Sequence, residues 1–438
     1  MGPSYPLQVA QDSPFGIHNI PFGIISEGKD GVKKAATAVG EYAIVLDALL
    51  KYGIFEAAKL PADIFLQPTL NQFAALPTQD RRLVRSTIIA HLENKDSPLF
   101  QDASLNRSAF VPIDQVEVHM PVSVTDYTDF FSSLVHAENA LRPFEIPVPA
   151  AFYEYPMGYN GRISSIAVSG TDFARPCGIF RTTPDAPTSF QASRKLDFEV
   201  EMAAIISTPV ADGKRISAKE APDHIFGYVL LNDWSSRDIQ KHEMTPFGPF
   251  HSKSFRTSIS PWVVTLDALS HSRCSLPASM PVSAAPLLDC DERNHGLYDI
   301  SLSAKITRNG EEVEIVRSNL ADAHWSPFQM AAYQSSSGCG LHTGDILGTG
   351  TLSSPDLRGS GSDTKGSWST FGCMAEINAT GHALPTVGGS KIEWLEDGDK
   401  LQFEGWFTTA NGQRGGFGGV TGTVKPALLA GIHNTPKL

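Results

Sequence analysis

The strongest local sign of chemistry is a pair of glutamates two residues apart, Glu199 and Glu201 in Leu196-Asp197-Phe198-Glu199-Val200-Glu201-Met202-Ala203. Side chains alternate across an extended strand, so both carboxylates fall on one face. Leu196, Phe198, Val200 and Met202 take the opposite face as core, which leaves the carboxylates toward a cleft or solvent. A merely solvated strand face is the competing explanation.

A second acidic position follows the apolar run Ile225 to Leu231, where Asn232-Asp233-Trp234-Ser235-Ser236-Arg237-Asp238-Ile239-Gln240 reads as a strand end followed by a helix. A helix there sets Arg237 and Gln240 on one face, three residues apart. Alternatively, Asp233 caps that helix and pairs with Arg237 one turn on. The third segment runs from Thr125 to His136 and holds Asp129 and His136 seven residues apart among aromatics. Lone histidines are more often structural than catalytic, so His136 needs a partner before it counts.

Should Asp129, Glu199, Glu201 and Asp233 converge, their mutual repulsion demands a cation. Oxygen-only ligation selects Mg²⁺ or Ca²⁺ over zinc and tolerates Mn²⁺. No HExxH zinc signature is present.

The elements that must position these groups divide the chain in two. Residues from about 13 to 118 form a first unit, with Asn19-Ile20-Pro21-Phe22-Gly23 starting a strand and Tyr42 to Leu50 apolar except for Asp47. Leu83, Ile88, Ile89 and Leu92 predict a helix over 78–93 with Thr78 as its N-cap. After Val111-Pro112, short apolar or alternating runs broken by Gly, Pro, Ser and Asn indicate a mainly β body with long loops. The stretch Leu357 to Ser369, with four Ser and three Gly, reads as a mobile surface insertion. No internal repeat is found at solenoid periods.

Composition narrows the partners. A chain of 438 residues predicts about two or three folding units. It is 41% hydrophobic and 19% charged, which is globular and unlike disorder. A formal charge of -12 without basic blocks makes nucleic acid a poor partner. The five cysteines are scattered, with no CxxC pair, and predict mostly buried free thiols in a reducing cytosol. The first 16 residues lack a basic start and an apolar core, and Pro6 stands where a myristoylation signal needs Ser or Thr. The apolar runs fall far short of the roughly 20 residues of a membrane span. The expectation is a soluble, cytoplasmic protein without a membrane partner.

DYTDF at 126–130 with His136, GYNGR at 158–162, KLDFEVEM at 195–202 and LNDWSSRDIQ at 231–240 together resemble the fumarylacetoacetase family, in order and in spacing. GPFHSKSF at 248–255, SPWVV at 260–264, GDILGTGT at 344–351 and FGCMAEI at 371–377 extend the likeness. NIPFGIIS at 19–26 and PTLNQFAAL at 68–76 carry it upstream.

The resemblance implies a mainly β fold with α: a small N-terminal SH3-like barrel domain, residues 1–118, then a larger β-roll catalytic domain, residues 119–438, in a homodimer. It implies Asp129, Glu199, Glu201 and Asp233 as metal carboxylates, with Lys253 and Thr257 in the outer metal shell. His136 becomes the catalytic base and Glu376 the carboxylate that orients it. Arg237, Gln240 and Lys253 become stabilisers of negative charge. Phe131, Arg142, Tyr159, Gln240, Met244, Gly350 and Thr351 fall at substrate-contact positions. The implied substrate is a small diketo acid, most directly 4-fumarylacetoacetate, cleaved to fumarate and acetoacetate at the end of tyrosine and phenylalanine breakdown.

The chemistry suits those roles. Splitting a 1,3-diketone needs an activated water, donors for an oxyanion, and a cation that polarises the diketone oxygens. The chain departs from the family at Phe131 and Met244, where tyrosines are usual, in GYNGR for GYHGR, and in a shorter stretch from Glu138 to Tyr153. Loss of two hydroxyls alters discrimination among substrates. A competing reading is therefore a paralogue acting on another acylpyruvate or β-diketone, as decarboxylase, isomerase or tailoring enzyme. A structural metal in a non-catalytic binding protein is the third.

Overall fold

The apolar run beginning at Ile225 forms a nine-residue strand, Ile225–Asp233, buried along its whole length, in a computed structural model that describes residues 2–275, 285–355, 369–381 and 384–428. It pairs antiparallel with Val200–Ile206 at the centre of an eight-stranded sheet. The order is Gly158–Asn160, Tyr127–Phe130, Ile346–Gly348, Val200–Ile206, Ile225–Asp233, Thr257–Ile259, Ile166–Val168, with Val264–Thr265 also paired to Ile225–Asp233. Tyr127–Phe130 runs parallel to Ile346–Gly348, and Ile166–Val168 parallel to Thr257–Ile259.

Both faces of this sheet are covered, which is why its central strands are near-continuously apolar. Val200, Met202, Ala204, Ile206, Tyr228 and Leu230 face a core shared with a six-stranded sheet. Ser301–Arg308, Glu311–Asn319, Lys400–Thr408 and Val420–Lys425 form most of that second sheet. Phe198 meets Phe403 across the gap, ring centroids 5.8 Å apart. The alternate residues Ala203, Ile205, Val229 and Leu231 join a second core with Phe22, Phe73, Val84 and Ile88 of the first 120 residues.

That N-terminal portion is a five-stranded antiparallel sheet in the order Phe110–Pro112, Tyr42–Val45, Lys34–Val39, Phe22–Glu27, Val116–His119. Its helix Thr78–Leu92 buries Val84, Ile88 and Leu92. Phe22 pins the two portions together: its ring stacks on Phe226 at 6.2 Å, and its N–H donates to the Val263 carbonyl at 2.9 Å.

Several expectations are corrected. Thr78 is the first residue of its helix and caps nothing, because Pro77 takes the N-cap position; the Thr78 hydroxyl instead accepts from Arg81 at 2.9 Å. Tyr42 to Leu50 splits into the strand Tyr42–Val45 and the helix Leu46–Tyr52. All five cysteines are free, but only Cys373 is buried. Leu357 to Ser369 lies outside the described residues except for Ser369, which bridges to Val316. Among the described residues no helix is long and apolar enough to cross a membrane.

Candidate active site

Sheet register brings the acidic side chains together. Asp129, in the strand Tyr127–Phe130, lies opposite Gly348 on one side and Tyr159 on the other. Glu201 lies opposite Leu231, and Asp233 opposite Thr257. Glu199 immediately precedes the Val200–Ile206 strand, its N–H bonded to the Asn232 side chain at 3.2 Å. One ligand oxygen from each of Asp129, Glu199, Glu201 and Asp233 lies within 4.8 Å of the others. Gly348 keeps the space open, since a Cβ there would stand 3.3 Å from both Asp129 Oδ1 and Glu201 Oε2.

The four carboxylates do not share the same partners. The Lys253 ammonium pairs with Glu199 and, at 2.7 Å, with Asp233. Arg237 reaches Glu199 Oε1 at 2.9 Å, Asp197 Oδ2 at 2.8 Å and Gln240 Oε1 at 3.0 Å. Asp233 also accepts from Tyr159 at 2.9 Å and Thr257 at 3.3 Å. By contrast, Asp129 Oδ1 and both oxygens of Glu201 are buried without a hydrogen-bond partner.

The proton affinities follow this division. Burial and the neighbouring Asp233 push Asp129 well above the usual carboxylate range, and burial with Asp129 and Glu199 does the same to Glu201. Against the upward push of burial, Lys253, Arg237 and His136 hold Glu199 below its ordinary value. Lys253 is itself held more basic than usual: burial opposes its charge, but Asp233 and Glu199 outweigh burial. Unpaired buried carboxylate oxygens in an all-oxygen donor set fit a hard divalent cation.

Beside this cluster stands His136, on the helix Leu134–Leu141 capped by Ser133. Its Nδ1 lies 2.8 Å from Glu376 Oε2. Glu376 comes from the helix Met374–Thr380 and is 1% exposed. Ser353 Oγ lies 2.9 and 2.8 Å from its two oxygens, Asn139 donates at 3.1 Å, and Cys373 Sγ approaches to 3.3 Å. Burial raises the Glu376 pKa, but His136 and these donors outweigh burial and hold it below the ordinary range. Glu376, paired with His136 and accepting from the Cys373 thiol, thus accounts for the close approach of the three.

The remaining positions differ in their surroundings. Phe131 packs edge-on against His136, centroids 5.2 Å apart. Thr351 Oγ1 is buried and unpartnered. Gly350, at φ +72°, passes so near Phe130 that a Cβ would stand 2.0 Å from its carbonyl oxygen. Arg142 lies on the surface with a guanidinium nitrogen 3.3 Å from Asn139 Oδ1, and Met244 is 48% exposed at the end of the Arg237–Glu243 helix.

Two readings of single segments give way. Glu199 and Glu201 are not a solvated strand face: at 5% and 0% exposed they are buried in a cluster with Asp129 and Asp233, and Lys253 and Arg237 reach Glu199. Asp233 does not pair with Arg237 one turn on; Asp197 and Glu199 take the arginine. Asp197 shares the parity of Glu199 and Glu201, the one signal that marks it in the sequence. It accepts the N–H groups of Met374 and Ala375 and so ties the helix carrying Glu376 to the Arg237 side of the site. Asn139, three residues after His136, was equally discoverable. Ser353 was not, for nothing local marks it.

Residues 18–121 match the family described as Fumarylacetoacetase N-terminal, and residues 127–425 match Fumarylacetoacetate (FAA) hydrolase C-terminal. The fumarylacetoacetase of Aspergillus fumigatus is 40% identical over 440 residues, covering 96% of this chain and 98% of that protein. The Arabidopsis thaliana fumarylacetoacetase is 38% identical over 427 residues, covering 96% and 98%. The solved fumarylacetoacetate hydrolase from psychrophilic Exiguobacterium antarcticum shares the fold at TM-score 0.51 and 16% identity, over 93% of this chain and 99% of that one. Paired family matches and full-length likeness at this level leave one assignment: the chain belongs to the fumarylacetoacetase family.

Proposed function

We propose that the chain is a divalent-cation-dependent hydrolase that splits 4-fumarylacetoacetate into fumarate and acetoacetate, the closing step of tyrosine and phenylalanine breakdown. The observation that carries this is a buried, partly unpaired carboxylate cluster beside a histidine held by a buried glutamate. Full-length similarity to fumarylacetoacetases disfavours the paralogue reading.

Asp129, Glu199, Glu201 and Asp233 would hold Mg²⁺ or Ca²⁺, with Mn²⁺ tolerated, while Lys253 and Thr257 support them from behind. The cation supplies Lewis acidity toward the diketone oxygens. Glu376 keeps a proton on His136 Nδ1, which leaves Nε2 free to accept one from water. The water oxygen then bonds to the ketone carbon, Arg237, Gln240 and Lys253 donating toward the developing negative charge. The carbon–carbon bond breaks with its electron pair passing to the departing carbon, which takes the proton back from His136. One water is consumed, and a carboxylate and a ketone are formed.

Phe131, Arg142, Tyr159, Gln240, Met244, Gly350 and Thr351 border the substrate in this reading. The N-terminal sheet is an SH3-like barrel of residues 1–118 and the remainder, 119–438, a β-roll, the whole acting as a cytoplasmic homodimer. Loss of the enol absorbance of fumarylacetoacetate, followed with and without a chelator, tests the activity. Turnover should require the cation. Glu199→Gln should lose both cation and turnover, whereas His136→Ala should lose turnover by about 10²- to 10⁴-fold and keep the cation. A His136→Ala protein as active as the parent would end this reading.

A further inference from the structure

His136, Asn139 and Arg142 follow one another at three-residue steps along the Leu134–Leu141 helix and into the short Arg142–Phe144 turn. The path Glu376, Asn139, Arg142 grades from interior to surface: the first two are 1% and 3% exposed, whereas Arg142 lies in solvent. Asn139 stands between. Its Nδ2 donates to Glu376 Oε1 at 3.1 Å, and its Oδ1 accepts from Arg142 at 3.3 Å.

An amide placed this way has one good orientation. Its donor end must meet the carboxylate and its acceptor end the guanidinium; a flip would set carbonyl against carboxylate and amine against cation. Arg142 therefore helps decide which way Asn139 points. Asn139 in turn shares Glu376 Oε1 with Ser353, at 3.1 and 2.9 Å, and so helps to hold the carboxylate with Oε2 2.8 Å from His136 Nδ1. The guanidinium carries five donors and spends one on Asn139, so a carboxylate arriving from solvent can be bound without breaking the chain.

We propose that Asn139 is a positioning residue that couples the exposed Arg142 to the His136–Glu376 pair, so that a carboxylate held by Arg142 steadies the base as well as the substrate. The proposal rests on the reading of His136 as the base. It adds that the anionic end of the diketo acid acts on kcat and not on KM alone, because an ordered arginine fixes the amide that fixes the carboxylate. Asn139 touches no reacting atom and works wholly through Glu376.

Four proteins test it: the parent, Asn139→Leu, Arg142→Met and the double variant, each measured for kcat, KM, melting temperature and cation content. Asn139→Leu should lower kcat by about 10- to 100-fold, as misaligned catalytic groups do, with KM and cation content little changed. Arg142→Met should raise KM and also lower kcat by roughly fivefold, and the double variant should show no greater kcat loss than Asn139→Leu alone. Multiplying kcat losses, or parental kcat in Asn139→Leu, overturns the proposal. If Asn139→Leu does not fold, Arg142→Met decides on its own, since its side chain is at the surface and an unchanged kcat refutes the coupling. His136→Ala separates the two claims: if it abolishes turnover while Asn139→Leu has none of the expected effect, only the positioning role falls.

Discussion

Buried carboxylates occupy two neighbouring regions of this protein and are treated in opposite ways. In the carboxylate cluster, Asp129 Oδ1 and both Glu201 oxygens have no donor. In the pocket behind His136, both Glu376 oxygens are met, by Asn139, Ser353, Cys373 and the imidazole. Burial is nearly equal in the two, so burial alone does not decide their character. Neighbours do: besides burial, Asp129 and Glu199 push Glu201 well above the ordinary range, whereas His136, Asn139 and Ser353 outweigh burial and hold Glu376 below it. The difference teaches that a starved carboxylate waits for a cation, whereas a saturated one serves as a fixed negative charge.

The sharpest way to break this comparison is Glu201→Gln, which preserves shape but removes one starved carboxylate. It should release the cation and lower kcat/KM by at least about 10³-fold, checked by metal analysis beside the enol assay. Survival of both would show that the cluster is not the cation site. Next in size is Glu376→Gln, which should cost about 10²-fold in kcat with cation content unchanged, since it misorients the base and leaves the cluster intact.

The pH response of the cluster runs in one direction. Asp129 and Glu201 are raised above the ordinary range, so without a cation they retain protons at pH values where free carboxylates have lost them. Binding must expel those protons, and cation affinity should fall by on the order of tenfold per pH unit for each proton displaced as pH drops through that window. Stability follows the same sign: the cation-free fold should lose stability as pH rises through the raised values, and added cation should restore it. Titration calorimetry at several pH values and melting curves check both; a pH-independent affinity would contradict the assignment. The smallest effect belongs to Thr257→Val, which removes one 3.3 Å hydrogen bond to an Asp233 already held by Lys253 and Tyr159. Only a few-fold change in cation affinity is expected, the worth of about one hydrogen bond.

Much of the site was legible because local rules carried it. Alternation set Glu199 and Glu201 together, and the apolar run ending at Asp233 did form a strand. The same rules misjudged exposure. A strand flanked by Phe198 and Met202 reads as one-sided, yet Phe22, Phe73, Val84 and Ile88 pack on its other face at Ala203 and Ile205, and no local pattern reveals a cover supplied from so far along the chain. Thr78 failed for a similar reason, in that Pro77 already occupied the cap position the pattern assigned to threonine.

By itself the sequence determined which residues alternate, where strands end in acids, and that His136, Asn139 and Arg142 share a helix face, because backbone geometry repeats over a few residues and depends only on neighbours. Only the tertiary structure decided that Lys253 stands between Glu199 and Asp233, that Ser353 and Cys373 close around Glu376, and that Glu201 goes without a donor. Apart from Cys373, three residues before Glu376, those pairings join residues 20 to 54 positions apart, and which of them form depends on how sheets and helices stack. That stacking is set by the burial of whole apolar faces, a property of the folded body that no short stretch of chain contains.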